Sequence, residues 1–210
     1  MISFTIIRHG STEGIEQGLL QGSSDSRLSA RGRRQAEMTA RLLSRCRINH
    51  CFCSPLGRTR ETADIICKPL SLEPVILEDL REYNFGCLEG QRHFGPPRRG
   101  ASFYEKFRSL ARLTLAGLTG ETLPHIRHRA ASVWQHLLDL QLEGENLVIS
   151  HGFFINIFIQ EIFKPSGQLP DGFFDVGPCS LTTVEVRNGQ PVLVKTNDVS
   201  HLGEWSGHGH

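Results

Sequence analysis

The sequence predicts an α/β protein: a three-layer α/β/α sandwich with a mainly parallel sheet and an antiparallel edge strand. Three observations carry this expectation. Short apolar runs alternate with segments of helical periodicity along the chain. Two of those runs end in a histidine followed by a glycine, at His9-Gly10 and His151-Gly152, which suggests chemistry at strand ends, where open α/β sheets bind ligands. Near the C-terminus, two strand-like segments flank Asn188-Gly189, a hairpin signature that sets antiparallel neighbours.

Residues 3–7 read as a buried strand, because Phe4, Ile6 and Ile7 form an apolar run that stops at Arg8. After the loop GSTEGIEQGLLQGSSDSR, residues 28–46 read as a helix with Ser29 as its N-cap and Ala36, Ala40 and Leu43 along one face. A second strand, HCFCS over 50–54, is stopped by Pro55, and a helix follows over 56–70 through Ala63, Ile66 and Cys67. PVILEDL (74–80) offers another short strand. Turn residues and basic side chains fill 90–102, the pattern of an exposed loop, before a helix over 103–114. Ile126, Ala130, Val133, Leu137 and Leu140 recur at intervals of three and four, predicting a helix over 121–142. NLVISHG (146–152) repeats the opening design. FFINIFIQEIF is a buried helix, and SLTTVEV and PVLVKTN are the hairpin strands.

With 210 residues, the chain fits a single domain over 1–210, with residues 90–118 as a substrate-covering loop and helix insertion. Lys and Arg number 23 against 22 Asp and Glu, a balance that argues against a nucleic-acid partner, so any anion must meet a local cluster. No apolar run approaches the roughly 18 residues that span a bilayer, and no signal-like N-terminus precedes the first strand, so no membrane partner and a cytoplasmic location are expected. Six cysteines are too few for a disulfide framework; Cys51 and Cys53 alternate on one strand face and fit core packing as free thiols better than a metal pair.

His9 and His151 would lie close together if their strands were neighbours in a parallel sheet. A lone histidine at a strand end is usually an ordinary cap. Here Arg8 stands beside His9, and Arg58 and Arg60 follow the strand that ends at Ser54, so cations or imidazoles gather at three strand ends. Such a convergence suits a tetrahedral anion, because guanidinium forks bind phosphate oxygens bidentately and keep their charge at any working pH.

These residues carry a resemblance to the histidine phosphatase superfamily, also called the phosphoglycerate mutase-like family, running along nearly the whole chain. IIRHGST resembles its opening R-H-G motif, and LQGSSDSRLSARGRRQA the Q-G…L-[ST]-x-x-G-x-x-Q-A segment. CSPLGRTRETA is similar to S-P-L-x-R-[AT]-x-x-T-A, and LREYNFGCLEG to L-x-E-x-x-F-G-x-x-E-G. GETLPHIRHRA is similar to the G-E-S-x-x-D-x-x-x-R helix start, and VISHGFFI to S-H-G-G. Six motifs in order make chance agreement implausible. The resemblance implies that His9 is the nucleophile and forms a phosphohistidine. It implies that Arg8, Arg58 and His151 form the phosphate pocket, with His151 protonated, and that Glu82 gives a proton to the leaving alcohol and later takes one from water. Thr12 and Gln21 are candidate phosphate contacts, with turn hydrogen bonding the alternative, and the backbone N–H of Gly152 is a further candidate phosphate donor at a helix start. No metal or other cofactor is implied. Arg60 is expected to support the pocket or pair with Glu61 or Asp64, and Arg92, Arg98 and Arg99 to lie on a solvated loop.

The chain also departs from the family pattern. Ser11 and Ile15 replace a glutamate and an asparagine common in relatives, Phe153 replaces a second glycine, and Asn156 stands where an arginine often lies. Phe153 implies a more apolar or narrower pocket floor. The function expected is hydrolysis of a small phosphorylated metabolite by a metal-independent phosphomonoesterase. A cofactor-dependent phosphoglycerate mutase is the alternative within the family, disfavoured by the short chain, the compact stretch from Glu82 to Glu121 and the absence of an extended basic tail. A catalytically silent module that binds a phosphorylated ligand is the non-enzymatic alternative. The apolar C-terminal half could form a homodimer surface, and core packing accounts for it equally well; the terminal GHGH reads as a short tail unrelated to function.

Overall fold

A computed structural model describes residues 2–92, 114–167 and 174–206. Six strands form one sheet: β1 (Ile2–Arg8), β2 (Ile48–Cys53), β3 (Val75–Ile76), β4 (Gly144–Ser150), β5 (Leu181–Arg187) and β6 (Gln190–Asp198), in the spatial order β3-β2-β4-β1-β5-β6. The first four are mutually parallel, and β5 and β6 add an antiparallel pair at one side. The chain turns between them at Asn188 and Gly189, both at positive φ, as the Asn-Gly dipeptide predicts. Beyond the short α1 (Glu13–Glu16) and a helical stretch over 114–119, the longer helices are α2 (Ala30–Leu43), α3 (Gly57–Cys67), α4 (Leu123–Asp139) and α5 (Gly152–Phe163).

Alternation along the strands builds two cores. Phe4, Ile6, Phe52 and Val148 face the layer of α4 and α5, whereas Ile7, Cys51, Cys53, Leu147 and Ile149 face α2, α3 and the C-terminal turn Ser200–Ser206. Cys51 and Cys53 are buried free thiols there. Burial pushes Cys53 up to about 12, which keeps it a packing group rather than a nucleophile.

Several element boundaries differ from the sequence expectation for local reasons. The third strand is only two residues long, because the chain enters a 3-10 turn at Glu78–Leu80. Helix α4 starts at Leu123 rather than 121: the Thr122 hydroxyl accepts from the His125 N–H as N-cap, and Glu121 is drawn into a buried ion pair. It ends before Gln141, which is left-handed at φ 49°. All but residue 114 of the expected helix over 103–114, most of the 90–118 insertion and the GHGH tail lie outside the described residues; residue 114 begins a helical stretch over 114–119. Among the described residues no helix is long and apolar enough to cross a membrane.

The topology fixes the position of the chemistry. β4 lies between β1 and β2, with Arg8 in register with Ser150 and Cys53 with Ile149. His9, Ser54 and His151 therefore follow the last residues of three adjacent parallel strands, at one edge of the sheet.

Candidate active site

The two strand-end rings meet. The centroids of His9 and His151 are 5.2 Å apart at an interplanar angle of 61°, and both residues are buried. The backbone N–H of His9 donates to Ser150 O at 3.0 Å, which ties the first strand end to the second.

His9 has both ring nitrogens engaged, His151 only one among the described residues. His9 Nδ1 is 2.8 Å from Gly10 O; a carbonyl only accepts, so Nδ1 carries the hydrogen and Nε2 keeps its lone pair. Arg58 Nε donates to that lone pair at 3.2 Å. His151 Nε2 lies 2.7 Å from Ser54 Oγ, and its Nδ1 is buried with no hydrogen-bond partner among the described residues. Burial first, then the charges of Arg58 and Arg8, holds His9 well below the ordinary imidazole value. Burial first, then Arg58, His9, Arg8 and Arg129, does the same to His151. Both shifts favour the neutral rings near pH 7; a protonated His151, as the resemblance implies, would have to be held against burial and three nearby cations.

Arg58 is 1% exposed and is held by the loop that precedes α2. Its Nη1 donates to Ser24 O at 2.7 Å and to Asp25 Oδ1 at 3.3 Å, and its Nη2 donates to Gly22 O at 2.7 Å. That loop is itself fastened by Glu89: Oε1 accepts from the N–H and hydroxyl of Ser23 at 2.8 and 2.9 Å, and Oε2 from the Ser24 N–H at 2.8 Å. Asp25 also accepts the first backbone N–H groups of α3, from Gly57 and Arg58.

Arg8 is partly buried, with Nη1 donating to Val176 O at 2.6 Å and Nε buried without a partner among the described residues. It lies against the start of α5, where a methyl group on Gly152 would sit 3.3 Å from its guanidinium carbon. Glycine there lets the cation approach the helix N-terminus closely.

Glu82 sits on that same N-terminus. Its Oε1 accepts from the N–H groups of Tyr83 and Phe154, both at 2.9 Å, and its Oε2 from Phe153 N–H at 3.1 Å, so the carboxyl satisfies backbone donors rather than pairing with Arg81. The segment carrying it is clamped by Arg129. That guanidinium makes a bidentate pair with Glu121 at 2.7 and 2.8 Å and donates to Asp79 O, Arg81 O and Glu82 O at 2.7, 2.7 and 3.2 Å. All its N–H groups are used, and it lies 4.7 Å over the Phe154 ring.

The remaining candidates have local partners. Thr12 Oγ1 accepts from Ile15 N–H at 3.1 Å, capping α1, and from Gln21 Nε2 at 2.7 Å, so these two side chains are joined to each other. Phe153 packs against Tyr83 and Phe85, with ring centroids 5.0 and 5.5 Å away, forming an aromatic cluster directly behind Glu82. Asn156 holds Phe174 through both backbone groups, at 2.9 and 3.1 Å. Arg60 is exposed, and Glu61 pairs with Arg33 instead. Among the described residues no cluster of three or more His, Cys, Asp or Glu side chains is placed to hold a metal ion.

Sequence reasoning missed the residues that hold the site in shape. Ser11 N–H donates to Gln35 Oε1 at 2.9 Å, and Gly10 N–H to Thr62 Oγ1 at 3.1 Å. Any Cβ on Gly32 would collide with the Ser11 backbone, so α2 docks against the loop after His9 only because that position is glycine. Gln35, Thr62, Glu89, Glu121, Arg129 and Ser54 all occupy fixed letters of the motifs quoted above. That was the available signal, but apart from the Glu121–Arg129 pair each partner lies far away in the sequence.

Two imidazoles and two arginines at the carboxyl edge of a parallel sheet, with a carboxyl at a helix N-terminus beside them, describe one class of protein. The chain belongs to the histidine phosphatase superfamily, whose branch 1 profile matches residues 4–199. In sequence it is 31% identical over 209 residues to a probable phosphoglycerate mutase, GpmB, of Escherichia coli O139:H28, with 96% of this chain and 95% of that protein covered. In structure it is similar to a phosphoserine phosphatase mutant from Entamoeba histolytica in complex with phosphoserine, at a TM-score of 0.78 and 28% identity, covering 96% of this chain and 100% of that one. It shares its fold with a putative alpha-ribazole-5'-P phosphatase from Escherichia coli K-12, at a TM-score of 0.78 and 23% identity, covering 94% and 98% of the two chains.

Proposed function

We propose that this protein hydrolyses the phosphomonoester of a small phosphorylated metabolite through a phosphohistidine formed on His9. The observation that carries the reading is the pair of buried nitrogens without a partner among the described residues, Arg8 Nε and His151 Nδ1, close to His9 Nε2, whose lone pair accepts from Arg58 Nε. Buried polar groups without partners are costly, and an anion with several acceptor oxygens satisfies them together.

In the first step His9 Nε2 attacks phosphorus as the P–O bond to the leaving alcohol breaks, and Glu82 supplies the proton that the alkoxide takes up. In the second, water attacks the phosphohistidine, Glu82 takes back a proton, and the P–N bond breaks to release phosphate and neutral His9. Arg8 and Arg58 oppose the charge that spreads over the equatorial oxygens, which is where fixed donors lower the barrier most. The neutral state of His9 keeps its nucleophilic lone pair available at pH 7.

The likeness to a probable phosphoglycerate mutase favours a second reading, in which the phosphoryl group returns to a substrate hydroxyl rather than to water. One experiment separates the two. Purified protein is supplied with a panel of phosphorylated metabolites, including phosphoserine and 3-phosphoglycerate with a bisphosphate primer, and phosphate release is compared with isomerisation. Faster phosphate release supports the hydrolase; isomerisation far outpacing release overturns it. Equal, negligible turnover by wild type and His9→Ala across the panel identifies a binding module instead.

A further inference from the structure

We propose that Ser54 fixes His151 as its Nδ1–H tautomer, so that this ring enters the pocket as a neutral hydrogen-bond donor and not as an imidazolium. The proposal rests on the reading that the pocket holds a phosphoryl group, and it assigns Ser54 a positioning role that acts through His151.

Ser54 and His151 are both fully buried, and Ser54 Oγ and His151 Nε2, 2.7 Å apart, share a single hydrogen. Ser54 Oγ also accepts from the Leu56 N–H at 3.4 Å. If the ring donated through Nε2, the serine hydroxyl would have no acceptor among the described residues and its O–H would be buried unsatisfied. If the hydroxyl donates, serine accepts from Leu56 and gives to the ring, and every group is used. A neutral ring that accepts at Nε2 must carry its one hydrogen on Nδ1. That atom is buried, has no protein acceptor among the described residues, and belongs to the ring facing His9. The donor lacks only an acceptor, which no described residue supplies.

The placement of Ser54 makes this arrangement a product of the fold. Its N–H donates to Ile149 O at 3.1 Å as β2 ends beside β4, so its hydroxyl reaches the residue that follows β4. A second proton on His151 would face Arg8, Arg58 and Arg129 with the His9 ring beside it; of the acids near these arginines, Glu82 acts on Arg8 and Arg58, Asp25 and Glu89 act on Arg58, and Glu121 is paired with Arg129. The neutral donor offers a hydrogen bond to a phosphoryl oxygen without adding a fourth cation to the cluster.

The test is nitrogen NMR of the full chain with labelled histidine, the His151 signals being identified by their loss in His151→Gln. The expected spectrum near pH 7 is a neutral ring protonated at Nδ1, with that signal moving when inorganic phosphate is added. A ring protonated at Nε2, or at both nitrogens, overturns the proposal. Ser54→Ala is expected to mix the two tautomers and to weaken inorganic phosphate binding roughly tenfold, while Ser54→Thr, which keeps the hydroxyl, restores both. Should Ser54→Ala keep a single Nδ1–H tautomer and full phosphate affinity, the positioning role fails. The spectrum needs no turnover, so a wild type that hydrolyses no ester overturns the proposed reaction, whereas the wrong tautomer in an active enzyme overturns only this inference.

Discussion

His9 and His151 end neighbouring strands with the same text, an apolar run, a histidine and a glycine, yet their rings are bonded in opposite senses. His9 gives its Nδ1 hydrogen to a carbonyl and turns a lone pair inward; His151 engages Nε2 with a hydroxyl and leaves Nδ1 open. The strand motif fixes where a ring sits. The partner at the far nitrogen, Gly10 O in one case and Ser54 Oγ in the other, decides whether the ring offers an electron pair or a hydrogen. Two similar residues at one site can thus divide nucleophile from donor without any difference in their own chemistry.

Removing the rings one at a time tests that division. His9→Ala deletes the only atom proposed to bond to phosphorus, so kcat for p-nitrophenyl phosphate is expected to fall by roughly 10⁴-fold or more, and the phosphoenzyme seen by rapid quench to vanish. His151→Ala deletes a donor and leaves the nucleophile, so a smaller loss of about 10²–10³-fold is expected, with phosphoenzyme still formed. Equal losses with no phosphoenzyme in either variant would break the comparison.

Both rings share one property, burial as neutral groups, and that predicts how stability follows pH. Their folded pKa values are depressed well below the ordinary value of about 6.5. As pH falls through about 6.5 the unfolded chain takes up protons that the folded chain refuses, so the unfolded state binds more protons and stability must rise with pH across this window. It is lost on acidification, by up to about 1.4 kcal/mol per pH unit for each ring below that point. His201, also lowered by burial, acts in the same direction. Urea unfolding at several pH values between 5 and 7 measures the slope, which is expected to flatten when both rings are replaced by asparagine. A flat profile in wild type would mean that the rings protonate freely in the folded state.

How much of this was legible beforehand depended on sequence distance. Strands ending in His9 and His151 were readable because an apolar run and the residue that stops it are adjacent, and their juxtaposition followed from parallel topology. The Ser29 cap and the Asn188-Gly189 turn are likewise local. What could not be read were pairings across tens of residues: Arg58 with the carbonyl of Gly22, Arg129 with the carbonyls around Glu82, Ser54 with His151. The charge state of His151 is not local either, since it depends on how many cations the fold brings around one desolvated ring. Thr12 and Gln21, candidate phosphate contacts by position, are also hydrogen-bonded to each other.

The smallest expected effect sharpens the contrast further, because the two rings depend on different supports. Arg58 reaches His9 Nε2 only while the carbonyls of Gly22 and Ser24 hold its other nitrogens, and Glu89 fastens that loop through both carboxylate oxygens. In Glu89→Gln one oxygen becomes an NH₂ group, which cannot accept from the Ser23 or Ser24 N–H facing it. The loop then shifts and Arg58 with it. His151 draws its hydrogen bond from Ser54 on β2 and should be untouched. The expected result is a loss of about tenfold in kcat/KM, near 1.4 kcal/mol, with the His151 nitrogen signals unchanged. A variant in which those signals move as much as those of His9 would show the two rings to be one mechanical unit, and the division of roles between them would have to be sought elsewhere.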